Sequence, residues 1–167
     1  PSDSYFVEVV PAGASSPVVI SATLSLDPNS DYTVVALGEL DNIEPLVLED
    51  NNAFPAIGNA HVRFVHASPD APAVDITLPD GTPIFSDIAF KGVGAYTPVP
   101  GGTYDLEVRP NGTMTSVLDL DGIPLSEGTV YTVFATGYAG GESPALNAVL
   151  VADAEWHWLF LPVIAHP

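Results

Sequence analysis

The 167 residues suffice for one ordinary domain or two small ones, and with 47% apolar and 14% charged residues the chain can bury a core. Three basic residues stand against 21 acidic ones, for a net charge of −18. This balance excludes nucleic acid and disfavours an anionic membrane surface, because both partners need clustered Lys and Arg. The chain has no Cys, which excludes a disulfide framework, a thiolate nucleophile and a Cys-zinc site.

The first strands are predicted by alternation of apolar and polar residues and by runs of β-branched and aromatic residues. The turn Pro11-Ala-Gly13 joins the first two of them as a hairpin. The predicted strands of this region are 5–10, 18–22, 32–37 and 46–49.

An internal repeat appears when the chain is shifted by 99 residues against itself. Residues 5–38 then fall on residues 104–137 without a gap, and Pro11-Ala-Gly13 falls on Pro110-Asn-Gly112. The predicted strands of the second copy are 61–66, 73–78, 83–86, 96–99, 104–109, 116–120, 131–136 and 147–151. The first copy has no counterpart to residues 60–103, so we expect it to lack its opening strands.

Both copies carry a Leu and a Tyr six residues later, just ahead of a Thr-Val strand. The pairs are Leu26 with Tyr32 and Leu125 with Tyr131. The spacing resembles the tyrosine corner of fibronectin type III and immunoglobulin domains, where the Tyr hydroxyl bonds to backbone just upstream. Two ordinary buried tyrosines are the alternative.

These patterns predict an all-β protein with two immunoglobulin- or fibronectin-III-like antiparallel β-sandwich repeats, the first partial, and a C-terminal extended strand. The predicted division is a partial first repeat at 1–50, a linker at 51–59, a complete second repeat at 60–154 and an apolar tail strand at 155–167.

The second copy also contains distinctive motifs in a fixed order, from residue 61 to residue 137. They are His61-Val-Arg-Phe-Val-His-Ala-Ser-Pro-Asp-Ala-Pro-Ala-Val-Asp75, Phe85-Ser-Asp-Ile-Ala-Phe90, Gly101-Gly-Thr-Tyr-Asp-Leu-Glu-Val-Arg-Pro110 and Tyr131-Thr-Val-Phe-Ala-Thr-Gly137. They resemble the domain of unknown function 4397 family over residues 60–153, and over 4–50 as a half-unit. The resemblance implies a secreted or cell-surface bacterial or archaeal protein with tandem β-sandwich repeats, and no known activity.

Four residues of the first motif invite a catalytic interpretation: His66, Ser68, Asp70 and Asp75. A serine hydrolase draws its nucleophile, base and acid from separate elements. Here the residues share one local segment around Pro69, which is typical of a turn whose Ser and Asp cap backbone amides. We expect no catalytic residues and no enzymatic activity.

Acidic turns are the candidate cation ligands, because calcium takes six to eight oxygens. They are Asp27, Asn29 and Asp31, the pair Asp119 and Asp121, and Glu49-Asp-Asn-Asn52. No segment has a calcium-loop pattern, and Asp119 and Asp121 align with Ile20 and Ala22 of the first copy. Solvated turns are therefore favoured; we expect no metal site and no cofactor, with calcium as the one candidate. The four His residues are too scattered for a zinc cluster.

Asn111-Gly-Thr113 is a glycosylation sequon in a predicted exposed turn. A plain Asn-Gly hairpin turn is the alternative interpretation, and it is favoured.

The tail beyond the repeat contains both Trp residues of the chain. As a strand it would be apolar on both faces, which is normal only for a strand buried on both faces. It is far too short to span a bilayer. It could pack on its own domain, anchor at a membrane interface, or insert into a neighbouring copy as an assembly strand, which we favour. The assembly residues would be Trp156, Trp158, Leu159, Phe160, Leu161, Val163 and Ile164.

Two functions remain open for a secreted, cell-surface protein of this kind. One is a structural subunit of a filament or surface layer that self-associates into a homopolymer by β-strand donation. The other is an adhesin or glycan-binding repeat module of a larger surface protein, with a carbohydrate or other surface ligand.

Overall fold

The computed structural model describes residues 3–156. Within them the chain forms twelve β-strands and one short 3₁₀ turn at Leu40–Asn42, which confirms the all-β prediction. The strands are β1 (Asp3–Val9), β2 (Ile20–Leu26), β3 (Asp31–Leu37), β4 (Glu44–Asp50), β5 (Asn59–His66), β6 (Val74–Thr77), β7 (Pro83–Ile88), β8 (Thr97–Pro100), β9 (Gly102–Pro110), β10 (Leu118–Leu125), β11 (Thr129–Thr136) and β12 (Asn147–Glu155).

The first repeat consists of two antiparallel hairpins, β1–β2 and β3–β4. The predicted hairpin turns are confirmed in both repeats. The amide of Ala14 bonds to the carbonyl of Pro11, and the amide of Thr113 bonds to the carbonyl of Pro110, each at 3.0 Å. The glycine of each turn has a positive φ, 79° at Gly13 and 72° at Gly112, which explains why glycine stands there.

The second repeat is a sandwich of two four-stranded sheets, ordered β10-β9-β6-β7 and β12-β11-β5-β8. Its strand pairs are antiparallel except one, because β11 runs parallel to β5. The chain enters β11 from the opposite sheet through the corner after β10, and so it arrives in the same direction as β5. The sandwich class is confirmed, with this parallel pair as the departure from a purely antiparallel arrangement.

One apolar core fills the space between the two sheets of the second repeat. Its members alternate along the strands, as a half-buried strand requires. They include Phe64, which stacks on Phe85 with ring centroids 6.1 Å apart. The other buried members are Ala60, Val62, Val74, Ile76, Val99, Leu106, Val108, Leu120, Leu125, Tyr131, Val133 and Ala135.

Both tyrosine corners are present. The hydroxyl of Tyr131 accepts a hydrogen bond from the amide of Ser126, and that of Tyr32 accepts one from Asp27, each at 3.1 Å. Tyr131 is buried in the core and Tyr32 is half-buried. Each bond fixes the crossing from one sheet to the other, which confirms the interpretation of the Leu and Tyr spacing.

The gapless alignment of the two copies is wrong within the hairpin strands. Val9 pairs with Ile20 and Val108 pairs with Leu118, so Ile20 corresponds to Leu118 and not to Asp119. The turn of the first repeat is one residue longer, and β10 gains one residue in a bulge between Leu120 and Ile123. Because each repeat has one extra residue at a different place, the two changes cancel and the alignment needs no gap.

No helix within residues 3–156 has the length and hydropathy needed to cross a bilayer.

Candidate assembly site

The two hairpins of the first repeat enclose an apolar groove of about 110 Å³. Its walls come from the faces of β1–β2 and β3–β4 that correspond to the core faces of the second repeat. Val34 of this groove is 46% exposed, whereas its counterpart Val133 is 6% exposed. The groove is therefore a core face that lacks part of its cover among residues 3–156. It is lined by Val7, Val9, Ile20, Ala22, Leu24, Val34, Ala36 and Pro45.

Two strand edges border this groove. In the second repeat, β9 pairs with β6 and β11 pairs with β5. The counterparts of β9 and β11 are β1 and β3, and within residues 3–156 they pair only with their own hairpin partners. Their outer edges thus present backbone amides and carbonyls to which an added strand can bond.

The β3–β4 hairpin packs with its other face on the second repeat. Leu48, Val65 and Phe134 form a small buried cluster there, supported by the half-buried Val35 and Leu46. This contact covers the outer face of β5 and β11. The hairpin is thereby held in place by packing, so one wall of the groove is preformed.

A buried ion network lies beside this cluster. Arg63 of β5 is 2% exposed and forms an ion pair with Asp50 at the end of β4. It also donates to the hydroxyl of Thr132 at 2.6 Å and to the carbonyl of Glu49 at 3.2 Å. Burial of one charge without a partner is costly, so this network resists separation of the two repeats.

Asp153 of β12 completes the network from the second repeat. Its carboxylate accepts hydrogen bonds from Thr132 at 2.6 Å and from Tyr96 at 2.8 Å, and lies 3.9 Å from Arg63. The Arg63 guanidinium lies over the Tyr96 ring, 4.7 Å from its centroid. Burial, together with the bond to Asp153, raises the pKa of Tyr96 well above its ordinary value, so Tyr96 stays a neutral donor.

Trp156, the first predicted assembly residue, lies at the junction of the repeats. Its indole N–H donates to the carbonyl of Asn52 at 3.2 Å, and its ring meets the ring of Phe54 edge-on at 5.6 Å. The Asn52 amide in turn donates to Asp31, the first residue of β3. Trp156 is thus linked through Asn52 to the start of β3.

The remaining predicted assembly residues lie outside the described residues. They are Trp158, Leu159, Phe160, Leu161, Val163 and Ile164.

The structure does not align His66 and Ser68 as a catalytic pair. The buried hydroxyl of Ser68 donates to the carbonyl of Gly137 at 2.6 Å. The ring of His66 is bonded through both nitrogens, to the carbonyl of Pro72 at 3.0 Å and the amide of Ser68 at 3.3 Å. These bonds hold the loop after β5 in shape.

Asp70 fastens this loop to the loop between β11 and β12. Its carboxylate accepts hydrogen bonds from the backbone amides of Ala139 at 2.9 Å and Gly140 at 2.7 Å. These two backbone donors hold the pKa of Asp70 below its ordinary value. The capping role expected of the turn acids is present, and its partner is a loop distant in sequence.

Asp75 and the sequon residue Asn111 are brought together. The Asn111 amide donates to Asp75 at 3.0 Å, and the amides of Asp87 and Gly112 bond to the same carboxylate. Burial raises the pKa of Asp75, but these hydrogen bonds outweigh it and the net shift is downward. Asn111 remains exposed in its turn, as both interpretations of the sequon require.

The candidate calcium ligands are used in internal bonds or dispersed. Asp31 accepts from Asn52, and Asp119 accepts from Ser116. Asp119 corresponds in register to Ser21, which overturns its alignment with Ile20. Residues 3–156 contain no group of three or more His, Asp or Glu side chains placed to hold a metal ion.

The Arg63 network was not predicted from the sequence. A signal for it exists, because Arg63 is one of only three basic residues and interrupts an apolar strand. A charge in that position needs a buried partner.

Comparison with known proteins gives a family and a distant structural match. No curated protein matches the chain. A solved structure of the C-terminal domain of AlgF from P. aeruginosa has 22% sequence identity and a TM-score of 0.43, over 57% of this chain and 98% of that one. The family model described as "Domain of unknown function (DUF4397)" matches residues 1–77 and 76–158, as two tandem copies. The chain belongs to this family of domains.

Proposed function

We propose that this chain is an extracellular structural subunit that joins other copies of itself by β-strand donation. The carrying observation is the groove of the first repeat, where Val34 is 46% exposed although its counterpart Val133 is buried. The apolar tail is the donated strand. The open edges of β1 and β3 supply the hydrogen bonds that such a strand needs.

Two opposing free-energy terms determine what strand donation requires of the acceptor groove. Burial of the six large tail side chains beyond Trp156 contributes roughly 9–18 kcal/mol. Ordering ten residues costs roughly 10–20 kcal/mol. The two terms nearly cancel, so the acceptor must be ordered before the tail arrives. The packing of β3–β4 on the second repeat and the Arg63 ion pair supply that order.

The geometry of donation sets the product. A tail at one end and a groove on the other repeat form a head-to-tail contact, which continues from copy to copy when the rotation between successive copies does not close a ring. Repetition of this contact gives an open filament or layer. The non-catalytic role follows from the same proposal, with support from the bonded Ser68 hydroxyl and His66 ring.

The test is removal of residues 157–167 from the chain, followed by light scattering and electron microscopy. We expect the intact chain to form filaments or large oligomers and the shortened one to run as a monomer somewhat below 17.4 kDa. A full-length control with Phe160→Asp and Leu161→Asp keeps the length but removes the apolar character, and should also remain monomeric. Filaments from the shortened chain would contradict strand donation. A monomeric intact chain that binds a glycan would favour the adhesin instead.

A further inference from the structure

Strand β5 shows how a strand that follows one repeat completes the next. It comes after β4 in the chain, yet it pairs with β11 of the second repeat, with Val62 beside Tyr131 and Phe64 beside Val133. Val62 and Phe64 both enter the core of that repeat. In the second repeat, the place beside β11 is therefore taken by the segment that follows β4 of the first repeat.

The tail repeats the sequence pattern of β5. Both segments follow the closing strand of a repeat, β4 in one case and β12 in the other. Both have a His, two residues and a Phe, with apolar residues at the alternating positions that face a core. The matched segments are His61-Val-Arg-Phe-Val65 and His157-Trp-Leu-Phe-Leu161.

We infer that residues 157–161 of one copy occupy, in the first repeat of another copy, the place that β5 occupies in the second repeat. The inference rests on the proposed strand donation and names its acceptor edge: β3, with the tail parallel to it. The counterpart of β11 is β3, so the β5–β11 register places Trp158 beside Tyr32 and Phe160 beside Val34. Both aromatic rings then cover the open face of the groove.

The position of Pro162 agrees with this register. Pro162 falls where β5 has His66, and it has no amide hydrogen to donate. The amide of His66 does not bond to β11, since it donates to the carbonyl of Gly92 on the other side of β5. A proline at this point therefore removes no bond to the acceptor strand. This register therefore accommodates Pro162, which would otherwise interrupt the pairing of the strand.

The absence of Cys makes a disulfide test direct. One variant carries Val34→Cys on β3, a second carries Phe160→Cys in the tail, and a third carries Val9→Cys on the β1 edge, where the β6 counterpart would pair. The tail variant is mixed with each acceptor variant under oxidation and run on a non-reducing gel. Each chain has one thiol, so every cross-link joins two copies. As a control, each reduced variant must have the same melting temperature as the parent. If a variant fails this control, the pair Thr33→Cys and Leu159→Cys is used instead.

We expect a disulfide-linked heterodimer of twice the monomer mass when the tail variant is mixed with Val34→Cys. We expect no heterodimer when it is mixed with Val9→Cys. Heterodimers with Val9→Cys alone, while filaments persist, would overturn the β3 assignment but leave strand donation standing. A chain carrying both Val34→Cys and Phe160→Cys supplies the opposite distinction. If this double variant forms only an intramolecular disulfide and stays monomeric, the tail occupies the groove of its own chain. That result would overturn strand donation between copies.

Discussion

Arg63 on β5 of the second repeat forms a buried ion pair with Asp50, the last residue of β4 in the first repeat. The two side chains are 2% and 8% exposed. The pair therefore crosses the boundary between the repeats, where water cannot replace either partner. This contact ties the first repeat to the second.

Replacement of Asp50 tests this coupling. Asp50→Ala leaves the buried Arg63 with the more distant Asp153 as its charged partner, and loss of one partner of a buried pair costs about 3–5 kcal/mol. We expect a loss near the lower end, measured by denaturant unfolding, because Asp153 compensates in part. Asp41→Ala, at an exposed position, is the control and should leave stability nearly unchanged. Equal unfolding midpoints for Asp50→Ala and the parent would show that the pair does not couple the repeats.

The two tyrosine corners allow a comparison within one chain. Tyr131→Phe removes the acceptor for the Ser126 amide in a buried setting, with an expected loss of about 1 kcal/mol. Tyr32→Phe removes the matching bond at a more exposed site, so its cost should be smaller. Thermal melting of the two variants gives the measurement. A larger loss for Tyr32→Phe would mean that the first repeat is more tightly packed in solution than these exposures indicate.

The features that could be predicted from the sequence are local. The turn Pro110-Asn-Gly112 and the corner at Tyr131 are set by residues within a few positions of each other, so pattern alone finds them. The bulge in β10 was hidden, because a longer turn in the first repeat cancels it in the alignment. The ion network was hidden for another reason: Arg63 has partners 13 residues before it and 90 residues after it. No local pattern joins such positions.

Ser68 should matter for stability and not for reactivity. Ser68→Ala removes the hydrogen bond from the Ser68 hydroxyl to the carbonyl of the half-buried Gly137, and such a bond contributes about 0.5–1.5 kcal/mol. We expect a lower melting temperature in scanning calorimetry, while Ser21→Ala, on the exposed face of β2, changes it little. The intact chain should also resist labelling by a fluorophosphonate probe. Labelling that Ser68→Ala abolishes would contradict the structural role.

Asp70 should make the loop after β5 sensitive to acid. Its pKa in the folded chain lies below the ordinary value of 3.8, because Ala139 and Gly140 donate to the carboxylate. A depressed folded pKa stabilises the fold fully above the unfolded value, and this contribution is lost as the pH falls through the folded value. The expected window of loss is therefore at and below about pH 4.

The matched variant is Asp70→Asn, which keeps one acceptor oxygen and cannot ionise. At neutral pH we expect Asp70→Asn to melt below the parent, because a neutral amide accepts more weakly than a carboxylate. The two melting temperatures should converge as the pH falls through the lowered pKa of Asp70 in the folded chain, because the parent carboxylate then becomes protonated as well. Hydrogen exchange at the amides of Ala139 and Gly140 gives a local readout, with faster exchange in the variant at neutral pH. A melting difference that stays constant from neutral to acidic pH would show that the charge of Asp70 does not hold the two loops together.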